Sequence, residues 1–267
     1  MPELPEVETI RRQLDPAITG RTVVDAGAHP SPKFALATSA VGATIDAVRR
    51  RGKYLLVDLD DGRELVIHLG MTGRLQLRRC STGTTPPHLR AWWDLGDRVL
   101  ELHDIRQFGR VALVPAGEYG SMPTLAALGP EPLGPEFTPS QLWMSLRASS
   151  VRLKTQLLSQ RPVAGVGNIY ADEALWRARL NPAARRITRA GSERLHSAIV
   201  EVLSAAVDNG GTTLRDYRTF DGETGSNQQH LHCYGRAGTP CHRCGAVLAR
   251  RVIDGRGTTW CRSCQAR

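Results

Sequence analysis

Four cysteines close to the C-terminal end set the tightest limit on what this chain can fold into. Cys241-x2-Cys244 and Cys261-x2-Cys264 make two close pairs with 16 residues between them. Two residues between thiols let both reach one ion, and 16 residues are enough for a hairpin, so the pattern fits a tetrahedral Zn²⁺ on a β-ribbon. Two disulfides are the competing pairing, disfavoured if the chain is kept in a reducing compartment. Cys80 and Cys233 stand outside the spacing and read as ordinary thiols. The stretch between the pairs carries Arg250, Arg251 and Arg256, the last within Asp254-Gly255-Arg256-Gly257-Thr258. A metal-pinned ribbon can set such an arginine against phosphates, and a plain solvated arginine is the alternative.

The compartment follows from what the sequence lacks. No apolar run approaches the ~18 residues of a membrane span, and no basic-then-apolar leader opens the chain, so an intracellular protein of the cytoplasm is expected. With 267 residues, 41% of them hydrophobic, there is material for two modest domains with real cores. The net charge of +9 is uneven: residues 1–134 hold 16 basic and 16 acidic side chains, residues 135–267 hold 19 and 10. A densely negative partner, most simply DNA, is expected against the second half. Only Lys33, Lys53 and Lys154 are lysines among 35 basic residues. A lysine amid so much arginine is notable because it alone readily becomes a neutral amine.

Periodicity divides the fold. Leu4, Val7, Ile10 and Leu14 recur at helical spacing. Residues 53–59 and 64–69 read as strands joined through Asp60-Asp61-Gly62, an Asp-Gly hairpin signal, and 98–103 and 110–114 continue the short-strand pattern. Glycine and proline crowd the stretch from Pro115 to Pro139. Beyond it Thr138-Pro139-Ser140-Gln141 signals a helix start, and Leu195, Ala198, Ile199, Val202, Leu203, Ala206 and Val207 form one helical face stopped by Asn209-Gly210-Gly211. An α+β chain is expected: a β-sandwich domain with an N-terminal helix at 1–115, a linker at 116–137, a helical domain at 138–230 and a zinc ribbon at 231–267.

The first residues carry candidate chemistry. A methionine before proline is normally trimmed, which would leave Pro2 with a free secondary amine, titrating near ~8 and so partly neutral at pH 7. Such an amine can attack a sugar C1′ and form an iminium. Glu3 adjoins it and Glu6 lies one helical turn on, suited to proton transfer and positioning. The bland alternative is that Pro2 and Pro5 start a helix with acids at its positive end.

The start Met-Pro-Glu-Leu-Pro-Glu-Val-Glu resembles that of the formamidopyrimidine-DNA glycosylase family, which also contains endonuclease VIII, and five further motifs match in the same order. The resemblance implies a bifunctional DNA glycosylase and abasic-site lyase acting on damaged double-stranded DNA as a monomer, with one structural zinc. Pro2 would be the nucleophile, Glu3 would protonate the opening sugar and Glu6 would fix position or water. Lys53, in Arg51-Gly52-Lys53-Tyr54, matches the family lysine that contacts the phosphate beside the lesion. Met71, in His68-Leu69-Gly70-Met71-Thr72-Gly73, matches the residue filling the space of the everted base. Arg106 and Phe108 match the pair that reads the orphaned cytosine and wedges between bases. Val163 to Glu173 resembles the helix-two-turn-helix signature, in which Asn168 and Lys154 would grip the backbone while Glu173 is structural. Arg256 matches the arginine assigned to the second elimination step, and His88 a DNA-contacting histidine. One position departs from the pattern: Asn227 stands where an aromatic residue is usual in the loop that folds over the purine. Oxidised purines are the expected substrate, oxidised pyrimidines or abasic sites the same-family alternative, and a non-catalytic zinc-containing DNA-binding protein the other.

Overall fold

Helix α1 (Leu4–Ile18) buries Leu4, Val7, Ile10, Leu14 and Ile18 along one face, the full length of the apolar stripe seen in the sequence. The computed structural model describes residues 1–79, 86–214 and 217–266, so Cys80 lies outside the described residues. Two units make up the chain, Met1–Ala126 with Gly210–Ser226, and Ala127–Asn209 with Asn227–Arg267.

In the first unit eight strands follow α1: β1 (Asp25–Ala28), β2 (Ile45–Arg51), β3 (Tyr54–Leu59), β4 (Arg63–His68), β5 (Arg74–Arg79), β6 (Leu89–Asp94), β7 (Arg98–His103) and β8 (Arg110–Pro115), and a short helix α2 (Pro123–Ala126) closes the stretch. They form two four-stranded antiparallel sheets, ordered β2-β3-β4-β8 and β1-β6-β7-β5. This is the sandwich expected from the short, alternating strands. Val7, Ile10 and Leu14 of α1 share one core with Val48, Leu55, Val57 and Ile67 of one sheet and Trp93, Leu100 and Leu102 of the other. Each such side chain, taken out of water, contributes roughly 1.5–3 kcal/mol. The Asp-Gly signal holds: Gly62 takes φ +80° between β3 and β4. Lys53, expected at a strand start, is instead the second residue of the β2–β3 turn, since Arg51 pairs with Tyr54 and Gly52 supplies the positive φ of +56°.

Residues 210–226 belong to this same unit, although sequence order puts them inside the 138–230 stretch. Hydrogen bonds to α1 hold them: Phe220 N donates to Gln13 Oε1 at 2.9 Å and Thr212 N to Glu6 Oε1 at 2.7 Å. Such long-range polar contacts leave no periodic mark in a sequence.

The second unit is helical, with α3 (Pro139–Arg147), α4 (Leu153–Leu158), α5 (Asn168–Arg177) and α6 (Arg189–Asp208), followed by the hairpin β9 (Ala249–Ile253) and β10 (Arg256–Trp260). Thr138 caps α3, its hydroxyl accepting from Gln141 N at 3.2 Å, with Pro139 at the first helical position where its missing N–H costs nothing. The predicted face of α6 is buried at Leu195, Ala198, Ile199, Leu203, Ala206 and Val207 and packs with Leu142, Tyr170 and Leu175. Asn209 ends it. Between β9 and β10, Asp254 and Gly255 both take positive φ, the arrangement that an Asp-Gly two-residue turn favours.

Candidate active site and metal centre

Glu3 is the N-cap of α1, and a reciprocal capping box links it to Glu6: the Glu3 side chain accepts from the Glu6 backbone, and Glu3 N donates to Glu6 Oε2 at 2.8 Å. The bland reading of these acids is therefore realised, and it also fixes them. Pro2 is buried beside them, while Glu3 and Glu6 are 2% and 1% exposed. The chain here begins at Met1, so the Pro2 nitrogen is an amide. The second oxygen of Glu6 receives Thr212 N, and Tyr217 donates its hydroxyl to the carbonyls of Glu6 at 3.4 Å and Gly210 at 3.2 Å. Burial, then the charge of Glu6, push the Tyr217 hydroxyl pKa up and keep it a donor. Glycine is required at this approach: a Cβ on Gly211 would meet Glu6 at 3.0 Å, and one on Gly225 would lie 2.2 Å from the Gly211 carbonyl oxygen. Glu6 is thus a strut between α1 and the 210–226 segment, which matches a positioning role.

Lys53 is 8% exposed in its turn. Its charge is felt by His68 on β4, whose ring lies 4.7 Å from that of Tyr54. Burial first, then Lys53 and Arg110, lower the His68 pKa to about 4, so this imidazole is neutral at pH 7. Its Nδ1 accepts Gly70 N at 3.2 Å and so shapes the turn that carries Met71.

Met71, Arg106 and Phe108 are brought together by a residue that no pattern in the sequence singles out. Asp104 is fully buried and accepts from Thr72 Oγ1, from Arg106 N at 3.3 Å and from Gly109 N at 2.7 Å. One carboxylate therefore ties the Met71 turn to the loop of Arg106 and Phe108. The packing is close: a Cβ on Gly70 would sit 2.4 Å from the Phe108 carbonyl carbon. Phe108 stays 49% exposed with the Arg106 guanidinium 4.9 Å over its ring, and Gln107 between them takes φ +54° with its carbonyl held by Lys33 Nζ at 2.7 Å. An aromatic left in water on a strained, pinned loop suits insertion between bases better than core packing. His88 is exposed, and its carbonyl accepts Asp104 N at 3.0 Å, which puts it beside the same loop.

In the second unit, one expected contact is corrected. Lys154 is 0% exposed, and its ammonium lies 2.7 Å from Asp172 Oδ1, donating also to Gly257 O and Thr258 Oγ1, each at 2.9 Å. It holds the ribbon turn from inside and has no donor to offer a phosphate. Asp172 Oδ2 takes Thr259 N at 2.9 Å, and burial pushes the Asp172 carboxyl up to about 6 against the pull of Lys154. Asn168 is half-buried at the first position of α5 and donates to the same Gly257 carbonyl at 3.2 Å, while its Oδ1 finds no hydrogen-bond partner among the described residues. Arg256 is exposed at the start of β10, close to the turn these contacts fix, and forms no ion pair among the described residues. Glu173 is structural, as expected: its oxygens receive the backbone N–H of His232, Cys233 and Tyr234 at 2.7–2.9 Å. Cys233 is an inert thiol, its pKa raised by burial, donating to Thr259 O. Asn227 is 5% exposed and accepts from Asn209 Nδ2 at 3.2 Å, so the unusual residue is spent on closing the end of α6.

Cys241, Cys244, Cys261 and Cys264 place their sulfurs within 4.8 Å of one another. A tetrahedral Zn²⁺ with Zn–S bonds of ~2.3 Å sets sulfurs ~3.8 Å apart, so a small inward adjustment completes the shell. The donors around them suit thiolates: Trp176 Nε1 reaches Cys241 Sγ at 3.3 Å and Cys264 N reaches Cys261 Sγ at 3.3 Å. The four cysteines are the ligand set of one structural zinc.

Family models agree with this arrangement along the chain. Residues 1–111 match the formamidopyrimidine-DNA glycosylase N-terminal domain, 128–218 its H2TH domain, and 238–267 the zinc finger found in FPG and IleRS. The chain belongs to the formamidopyrimidine-DNA glycosylase family. The formamidopyrimidine-DNA glycosylase of Deinococcus radiodurans is 46% identical over 99% of this chain and 97% of its own length. The crystal structure of the MutM (Fpg) protein from Thermus thermophilus superposes with a TM-score of 0.92 at 47% identity, covering 100% of this chain and 99% of that one. A mutant of Lactococcus lactis Fpg in complex with DNA containing Fapy-dG gives 0.91 at 34% identity over 100% of both chains.

Proposed function

We propose that the protein is a base-excision-repair DNA glycosylase and abasic-site lyase that removes oxidised purines, 8-oxoguanine and formamidopyrimidines, from duplex DNA. The observation that carries this is the pair of buried carboxylates capping α1 directly after Pro2, one of them also clamped by Thr212. Such fixed geometry is what a nucleophile of modest reactivity needs.

Once Met1 is trimmed, the Pro2 nitrogen lone pair attacks C1′ and the base departs with the electrons of its glycosidic bond. Glu3 takes the proton from the Pro2 N–H and gives it to O4′ as the sugar ring opens, leaving an iminium between Pro2 and C1′. That cation acidifies the 2′ hydrogen; its loss expels the 3′ phosphate, and a second elimination expels the 5′ phosphate. Lys53 serves proton transfer beside the lesion phosphate, Arg256 serves the second elimination, and Glu6 holds position. Arg106 reads the orphaned cytosine, Phe108 wedges, Met71 fills the vacated stack and Asn168 binds backbone, with His88 an outlying contact. Flipping costs a few kcal/mol, which such apolar plugs offset. The zinc stiffens the ribbon and takes no part in the reaction. The protein works as a monomer in a bacterial cytoplasm on nucleoid DNA; among the described residues no helix is long and apolar enough to cross a membrane.

Borohydride trapping on a duplex with 8-oxoguanine opposite cytosine tests this. A covalent adduct mapping to Pro2 is expected, with Pro2→Gly reducing it at least a hundredfold. Full strand cleavage by protein that retains Met1 would overturn the assignment.

A further inference from the structure

Arg152, Arg185, Arg186 and Arg251 line a pocket of about 610 Å³ in the second unit, together with Ala183, Ala184, Val252 and Ile253. Three elements build it: the residue before α4, the 183–186 turn leading toward α6, and strand β9. None of these four arginines belongs to the machinery above. Their partners leave positive charge over. Asp254 takes Arg152 and feels Arg185, whose Nη1 donates to the Ser150 carbonyl at 2.9 Å. Arg251 stacks its guanidinium 4.8 Å over Trp260, and its buried Nε has no acceptor among the described residues. A buried guanidinium N–H without a partner is rare, and an arriving acceptor would satisfy it.

The lining also has an apolar part, since Val252 is 69% exposed between Arg251 and Ile253. Guanidinium groups alternating with aliphatic surface match an alternating chain of phosphates and deoxyriboses better than they match a free anion. Position points the same way. Thr258 pairs with Arg251 and Ile253 with Arg256, so Arg251 sits two strand positions, ~7 Å, from the register of Arg256, the arginine proposed to serve the second elimination.

We propose that this pocket is a second phosphodiester-binding site, which takes the DNA backbone flanking the lesion and anchors the ribbon on it. The inference rests on the proposed action on DNA. It adds a contact that the chemistry at Pro2 does not need.

Full-length, zinc-loaded Arg185→Ala/Arg186→Ala protein tests it on a duplex carrying a stable abasic-site analogue. Two lost phosphate contacts should reduce the slope of log K against log salt by about 1.8 and weaken binding roughly sixtyfold near 0.1 M salt. Arg185→Lys/Arg186→Lys should keep the slope, and borohydride trapping of Arg185→Ala/Arg186→Ala at a saturating concentration of the 8-oxoguanine duplex should stay at the wild-type level. Arg186→Ala alone, on an exposed side chain, guards against misfolding and should give about half the change in slope. Unchanged slope and affinity would overturn the inference, including the case in which the pocket holds an acidic protein segment. A loss of trapping without a change in affinity would overturn it too, while absence of trapping in the wild type would instead sink the reading of the reaction.

Discussion

Replacing Lys154 with methionine separates two roles that the same residue type can play. As a backbone grip it would add about 0.9 to the salt slope of DNA binding and little to stability. The structure gives it the other role. Its ammonium is wholly buried, 2.7 Å from Asp172, with its remaining donors on Gly257 O and Thr258 Oγ1. Removing one partner of a buried pair strands the other, at a cost of about 3–5 kcal/mol. At roughly 2–4 °C per kcal/mol for a chain of this size, the melting temperature should fall by roughly 6–20 °C. Lys154→Met/Asp172→Leu should recover most of the loss, because no buried charge remains. The pH dependence has a definite sign. Burial already raises the folded pKa of Asp172 to about 6, above its usual 3.8, so its neutral form is tolerated below pH 4 and its charged form costs more as pH rises through 6. Without the lysine that cost grows, so the variant should lose more stability at pH 8 than at pH 5. Urea unfolding at the two pH values, with filter binding over a salt series, reads both quantities. A stability loss under 1 kcal/mol together with a slope lowered by one would refute the buried-strut assignment.

Three other perturbations have expected outcomes. Asp104→Ala releases the bonds to Thr72, Arg106 and Gly109, so discrimination for cytosine opposite 8-oxoguanine should drop about tenfold or more while nicking of a preformed abasic site persists; steady-state excision against each opposite base checks this. His68, folded pKa about 4 against about 6.5 unfolded, contributes stability that is full above pH 6.5 and is lost as pH falls through 4, about 3 kcal/mol in all; His68→Gln should flatten that acid limb of a denaturation series. Stripping zinc with a strong chelator should abolish binding to damaged duplex, and restoring zinc should recover it, whereas disulfides in its place would make reductant rather than chelator the effective agent.

Much of the fold was legible because it rests on local patterns. The α1 stripe, the Asp-Gly turn at Gly62, the Thr138 cap and the cysteine spacing are each confined to a few consecutive residues, and each appears where expected. The site was legible in a different way. Pro2, Arg106 and Phe108 were selected by resemblance, since no local rule distinguishes an inserted phenylalanine from a core one. What escaped was the set of buried polar groups that hold loops. Asp104, Asp172 and Tyr217 carry no local signal, because each has a partner tens of residues or more away and burial is decided by the whole fold.

The same blindness produced the error at Lys154. Lys154 was selected by resemblance to a family lysine that grips the backbone, and only Asp172, 18 residues on and one turn inside α5, shows that its charge is already matched. On the reading proposed above, gripping DNA in the second unit falls to Asn168 and Arg256 at the ribbon turn and to the arginines around Arg251. What the structure gives Lys154 is a hold on the Gly257 carbonyl, which it shares with Asn168, one residue after Arg256. An interior ion pair is a costly way to stabilise a domain and a good way to fix one loop in one place. The position of Arg256 is what its cost secures.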